Sequence, residues 1–138
     1  MSPAPRPQYV LGFAFSDDHS HVVLIEKSRP EWQRGRLNGV GGKIEGNEEP
    51  RDAMQREFRE ETGVDTSNWR QVCVLQGPWG VMYVYTTTAL PDIVRTTTDE
   101  VVNWYDVRRL PSTCLRNVHW LVPMALSGEE FDIEEVSP

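Results

Sequence analysis

Two apolar, β-prone runs open the chain, Gln8 to Phe15 and His21 to Lys27, on either side of Ser16-Asp17-Asp18-His19-Ser20. Runs of this kind around a cluster of turn formers predict a β-hairpin. Ser28 to Gly35 reads as a loop, and Leu37 to Ile44 is glycine-rich with short extended stretches. The period then changes. Residues 48–62 read as a helix: Met54 and Phe58 lie four apart and Ala53 beside them, giving one apolar stripe. Pro50 suits a first turn, Glu48, Glu49 and Asp52 suit the positive end of the helix dipole, and Gly63 is a natural stop. Strands follow at Gln71 to Gln76 and Val81 to Ala89, around the turn Gly77-Pro78-Trp79-Gly80, and a short one at Val101 to Tyr105. Arg116 to Leu126 reads as a second helix, in which Pro123 must make a kink or lie near the start. Residues 1–7, with three prolines, predict a loose arm, and residues 129–138 an acidic tail. No repeat or linker divides the chain, so residues 1–138 are expected to form a single domain. The irregular interleaving of strands with one long central helix predicts an α+β or α/β class with a mixed sheet.

Composition narrows the function. A chain of 138 residues can bury a real core, and 38% hydrophobic with 25% charged residues is an ordinary globular balance. No run approaches the roughly 18 apolar residues of a membrane helix, so no membrane partner is expected. The opening MSPAPRPQ lacks the apolar core of a signal peptide, and Cys73 and Cys114 cannot build a disulfide framework; a reduced, cytoplasmic compartment is the expectation. A net charge of −7 makes the chain a poor binder of duplex nucleic acid, which needs clustered Lys and Arg. It can still handle small phosphorylated molecules if a metal supplies positive charge.

The central helix carries that possibility. Glu57, Glu60 and Glu61 stand at i, i+3 and i+4, on one face, where like charges repel by a few tenths of a kcal/mol per pair. Helix stability does not favour the arrangement, whereas a hard divalent cation such as Mg²⁺ or Mn²⁺ does. Arg56 lies four before Glu60 and can hold a carboxylate in place; Gly41-Gly42 permit close backbone approach; Lys43 is a point charge suited to phosphate. His19 and His21 belong to the hairpin turn, with no Cys/His spacing that suggests zinc.

Together these residues spell Gly42, five residues, Glu48, seven residues, Arg56-Glu57-Phe58, one residue, Glu60-Glu61, one residue, Gly63-Val64. The 23-residue span resembles the Nudix box, G-x5-E-x7-R-E-U-x-E-E-x-G-U with U a bulky apolar residue, at every constrained position. The strand order around it also resembles that family's fold, an α/β/α sandwich of α+β class with a mixed sheet between helices. The resemblance implies Mg²⁺- or Mn²⁺-dependent hydrolysis of a nucleoside diphosphate linked to another group, by water attack on phosphorus. It implies Glu57, Glu60, Glu61 and the Gly41 carbonyl as metal ligands, Arg56 as the residue that orients Glu57, and Glu48 as either a salt-bridge partner or a further ligand. The general base is then Glu57 or a downstream loop glutamate, here Glu100, with Asp99 beside it.

The substrate lies in other residues. Arg36-Leu37-Asn38-Gly39-Val40-Gly41-Gly42-Lys43 resembles the segment of the family's human-type oxidised-purine triphosphatases in which an asparagine reads the base. Asn38 has a donor pair and an acceptor for a purine edge, or caps a turn. Asn117 stands where those enzymes place a second base contact, although the human-type enzyme has two aspartates where this chain has Arg116 and Asn117. Gly42 and Lys43 are expected to meet phosphate. Trp79 and Trp32, both in loops, are expected to offer stacking surfaces. The expected activity is therefore cleavage of a nucleoside triphosphate, such as 8-oxo-dGTP or a related purine, to monophosphate and pyrophosphate. The alternatives are ADP-ribose, a dinucleoside polyphosphate or another nucleotide conjugate, or a non-catalytic sensor. The expected partner is a small nucleotide, bound by a monomer or homodimer.

Overall fold

Strict alternation along the first strand organises the molecule. In β1 (Gln8–Phe15), Leu11, Phe13 and Phe15 are buried in one core, and Val10 and Ala14 in another. A strand buried on both faces must be apolar throughout, which is why this run lacks a polar face. The computed structural model describes residues 6–89 and 96–133. The other elements are β2 (His21–Glu26), β3 (Leu37–Asn38), β4 (Val40–Lys43), α1 (Pro50–Thr62), β5 (Arg70–Gly77), β6 (Gly80–Thr88), β7 (Val102–Asp106), α2 (Val118–Leu126) and β8 (Phe131–Ile133).

The strands form one mixed sheet in the order β3-β2-β1-β6-β5-β8, with β4 paired to β1 and β7 to β2. β1 and β6 run parallel over their whole length, from Gln8↔Val81 to Phe15↔Thr88. The β1–β2 and β5–β6 pairs are antiparallel hairpins. One face of the sheet packs on α2 through Val118, Leu121, Val122 and Ala125. The other packs on α1 through Ala53, Met54 and Phe58, which are fully buried and stabilise by roughly 1.5–3 kcal/mol for each large side chain. The result is the expected α+β layering, a mixed sheet between helices. Gly12 sets the depth of α1: a Cβ there would stand 2.6 Å from Met54 Cε and 2.7 Å from Met54 Sδ.

Boundaries moved for identifiable reasons. α1 begins at Pro50 rather than 48, because Glu49 is extended (ψ 149°), the conformation a following proline imposes. It ends as expected at Gly63, left-handed at φ 78°, whose N–H reaches Arg59 O at 2.9 Å. α2 begins at Val118 rather than 116, because the preceding residues are bound to β3: Leu37 N donates to Thr113 O (3.1 Å) and Leu115 N to Leu37 O (2.9 Å). Pro123 lies inside α2. The acidic tail contributes a strand, β8, parallel to β5 through Cys73↔Phe131, a long-range pairing invisible to local patterning. Residues 134–138 of that tail, and 1–5 of the arm, lie outside the described residues; Pro7 O accepts from Val81 N at 2.9 Å, so the arm's end joins the sheet. Both cysteines are buried thiols. No helix is long and apolar enough to cross a membrane among the described residues.

Candidate active site

β1 holds β4 in register, Val10 against Gly42 and Leu11 against Gly41, while α1 crosses the same end of the sheet. The backbone packing requires glycine at 41, and the position of the Glu57 carboxylate requires it at 42. A Cβ on Gly41 would lie 2.0 Å from Val10 O, and one on Gly42 would lie 2.4 Å from Glu57 Oε1. The Glu57 carboxylate therefore rests directly on the β4 backbone.

Arg56 ties the acidic groups together. Its Nε donates to Glu48 Oε2 (2.7 Å) and its Nη2 to Glu48 Oε1 (3.0 Å), a two-bond fork. Its Nη1 donates to Glu57 Oε1 (3.0 Å) and reaches Glu60 at 3.3 Å, and its Nη2 also bonds Lys43 O (3.2 Å). The fork holds the Glu48 carboxyl below its usual range and pushes the Arg56 guanidinium further up. Glu45 N–H bonds Glu48 as well, at 3.0 Å. Both Glu48 oxygens bond the Arg56 guanidinium in the salt bridge expected of it.

The carboxylates differ in environment. Glu57 has 12% of its side chain exposed and Glu60 has 51%. Burial pushes Glu57 up against the opposing pull of Arg56. Burial also raises Glu61, with Glu100 and Asp99 adding repulsion and Thr98 and Lys27 counteracting. Glu100, expected on a loop, is only 6% exposed. It accepts from Ser28 N (2.6 Å), Ser28 Oγ (3.2 Å) and Lys27 Nζ (3.3 Å). Thr98 links it to the helix, donating to Glu61 Oε2 at 2.7 Å and accepting from Glu100 N at 3.2 Å. Thr97 Oγ1 makes a further bond to Glu60 O.

Among the described residues, no three His, Cys, Asp or Glu side chains form a closed metal-binding group as they stand. The donor set nonetheless fits a hard divalent cation. Glu57 and Glu61 are partly desolvated carboxylates on one helix face, next to a β4 backbone that glycine keeps open, and a cation would add to what Arg56, Thr98 and Lys27 do to offset their burial.

A groove opens beside the β4 glycines. A cavity of 210 Å³ is lined by Lys27, Asn38, Gly41, Gly42, Lys43 and Tyr9 among others. A second, of 360 Å³, is lined by Trp32, Gln33, Arg36, Asn38, Met82, Leu115, Arg116 and Asn117. Gln33, Asn38 and Met82 line both, so the cavities adjoin. Asn38 is 9% exposed, and its Oδ1 accepts from Gly39 N at 2.8 Å. The bonding of Leu37 to Thr113 and Leu115 brings Asn117 to the same cavity. Asn117 Oδ1 is buried without a hydrogen-bond partner. Trp32 is 60% exposed on the groove.

Trp79 is placed elsewhere. On the tip of the β5–β6 hairpin it stands 6.3 Å from the Tyr9 ring and packs on the α2-side core, lining neither cavity. Sequence reasoning missed Lys27, Ser28, Thr98 and Gln33. Thr98 could have been flagged by its place two before Glu100, but nothing local marks Lys27, which acts across the sheet.

A glycine-bordered carboxylate helix beside this groove, on a mixed sheet between two helices, defines the class of domain. The chain matches the NUDIX domain over residues 5–124 and belongs to the Nudix family. An 8-oxo-dGTP diphosphatase of Proteus vulgaris is 35% identical over 59 residues, covering 43% of this chain and 53% of that protein. The chain thus spans about half the length of this curated relative. A MutT NUDIX hydrolase of Burkholderia pseudomallei superposes with TM-score 0.75 at 22% identity, over 88% of this chain and 98% of the other. The NUDIX domain of Shewanella oneidensis NrtR in complex with ADP-ribose superposes with TM-score 0.74 at 20% identity, over 91% and 89%. At these identities the two structures share the fold.

Proposed function

We propose that this chain is a single-domain, Mg²⁺- or Mn²⁺-dependent pyrophosphohydrolase. It cleaves a nucleoside triphosphate, 8-oxo-dGTP or a related purine, to the monophosphate and pyrophosphate. The observation that carries this reading is the pair of adjoining cavities, one lined by Lys43 and by Gly41 and Gly42, on whose backbone the Glu57 carboxylate rests, the other by Asn38, Asn117 and the exposed Trp32. Glu57, Glu60, Glu61 and the Gly41 carbonyl would hold the metal. When bound, the cation shields phosphate charge and lowers the pKa of an attacking water. Arg56 positions Glu57. Lys43, Lys27 and the Gly42 backbone meet the phosphates. Glu57 or Glu100 takes the proton from the water. The protein acts in the cytoplasm, as a monomer or homodimer.

A second reading, cleavage of ADP-ribose or another nucleotide conjugate, is favoured by the similarity of fold to the ADP-ribose-bound NUDIX domain. A purely binding role fits less well, because all the box carboxylates are present. The test is a panel of the common (d)NTPs, 8-oxo-dGTP, ADP-ribose, NADH and diadenosine polyphosphates with Mg²⁺, with Glu57→Gln as control. Release of pyrophosphate, with at least tenfold higher kcat/KM for a purine triphosphate than for ADP-ribose, supports the first reading. The opposite ranking supports the second, and no turnover of any compound overturns both.

A further inference from the structure

The loop from Ser28 to Gly35 walls both cavities: Pro30 and Gln33 line the nearer one, Trp32 and Gln33 the farther. Its neck is closed by two backbone bonds, Lys27 N to Arg36 O (2.8 Å) and Gly35 N to Lys27 O (2.9 Å). Beyond that neck, every hydrogen bond from residues 28–35 to the rest of the described protein ends on Asp99 or Glu100. Glu100 takes the larger share. Its Oε2 accepts from Ser28 N (2.6 Å) and Ser28 Oγ (3.2 Å), and its Oε1 pairs with Lys27 Nζ (3.3 Å). Glu100 lines neither cavity, whereas Lys27 lines the nearer. The Glu100 backbone is held in turn from the helix side, its N–H donating to Thr98 Oγ1, which donates to Glu61 Oε2.

We infer, on the reading of the groove as a nucleotide site, that Glu100 is a positioning residue rather than the proton acceptor: it fixes the 28–35 wall of the groove against α1. A carboxylate that takes a proton from water needs an oxygen within reach of that water. Both Glu100 oxygens are instead taken up by donors of the loop and its neck. Through Thr98 on one side and Ser28 on the other, Glu100 sets the distance between the carboxylate helix and the wall that carries Trp32 and Gln33.

Two substitutions rank oppositely for the two roles. Glu100→Gln still offers Ser28 N–H a carbonyl oxygen but is no base. Glu100→Asp keeps the carboxylate but, one methylene shorter, withdraws from Ser28. The measurements are hydrogen–deuterium exchange of the 28–35 amides in the metal-free protein, and kcat and KM with Mg²⁺ for 8-oxo-dGTP or for whichever nucleotide of the panel is cleaved best. Glu100→Asp should exchange this segment at least tenfold faster and raise KM at least tenfold with kcat within threefold, because a wall that drifts weakens binding of substrate and transition state alike. Glu100→Gln should stay within threefold of the unaltered protein in all three. A general base contributes about a hundredfold or more, so a fall of that size in kcat for Glu100→Gln, with Glu100→Asp the more active of the two, overturns the inference. Unchanged exchange of the segment in Glu100→Asp overturns it as well. If the unaltered protein cleaves no nucleotide, the functional reading fails, and the exchange comparison alone decides whether Glu100 holds the loop.

Discussion

Arg56 and Glu48 are joined by two parallel hydrogen bonds, 2.7 Å from Nε and 3.0 Å from Nη2. Eight residues apart in sequence, they close the loop before α1 onto the helix, and the same guanidinium reaches Glu57 and the Lys43 carbonyl. One planar group thus aligns a carboxylate, a loop and the end of β4.

Lysine cannot reproduce that fork. Arg56→Lys is expected to lower kcat by about tenfold or more and to weaken Mg²⁺ affinity in the 10–100-fold range typical of residues that orient metal ligands. Steady-state kinetics over a Mg²⁺ titration measure both. A variant with unaltered metal dependence would show that Glu57 keeps its place without Arg56.

Gly42→Ala places a Cβ where the Glu57 carboxylate sits, 2.4 Å from Oε1. The carboxylate must leave its position, so activity should fall about a hundredfold while the fold survives, since displacements of about 1 Å at a reacting centre cost that much. Circular dichroism alongside kinetics separates this from unfolding. Gly41→Ala is the contrasting case: its Cβ meets the Val10 carbonyl, fixed backbone, and the variant should lose about 1–3 kcal/mol or more of stability by urea denaturation.

Thr98→Val removes the hydroxyl that joins Glu61 to the Glu100 backbone, while Thr98→Ser retains it. Activity should drop roughly tenfold in the valine variant and recover in the serine variant. If the valine variant keeps its activity and the serine variant loses it, the β-branched shape rather than the hydroxyl matters.

Glu57 and Glu61 have folded-state carboxyls raised above their unfolded values by burial. A raised carboxyl contributes stability below the unfolded pKa and loses it as pH rises through the folded value. Glu48, lowered by Arg56, works oppositely and loses its contribution as pH falls. Metal-free protein should therefore be destabilised by Glu57 and Glu61 at neutral pH. Glu61→Gln should raise its Tm by roughly 2–4 °C at pH 7.5 and less at pH 4, and should abolish part of the Tm gain from added Mg²⁺. Thermal scans at the two pH values, with and without Mg²⁺, check this. A lower Tm for the variant at pH 7.5 would refute the burial penalty.

The strands and α1 were legible because their signals are local. A continuous apolar, β-prone run marked β1, and the Met54–Phe58 spacing with Pro50 and Gly63 marked the helix. The acidic face and its glycines were legible because their spacing is itself the signal. β8, the start of α2, the burial of Glu100 and the location of Trp79 were not, because each depends on partners far along the chain: Cys73, Leu37, Ser28 and Tyr9. Local sequence determined which residues carry charge and where the backbone turns. Tertiary pairing decided which of those charges meet, since the sheet brings Lys27 to Glu100 and Asn117 to the cavity of Asn38 across 73 and 79 positions. Side-chain periodicity has no memory over such distances, and only the register of strands supplies it.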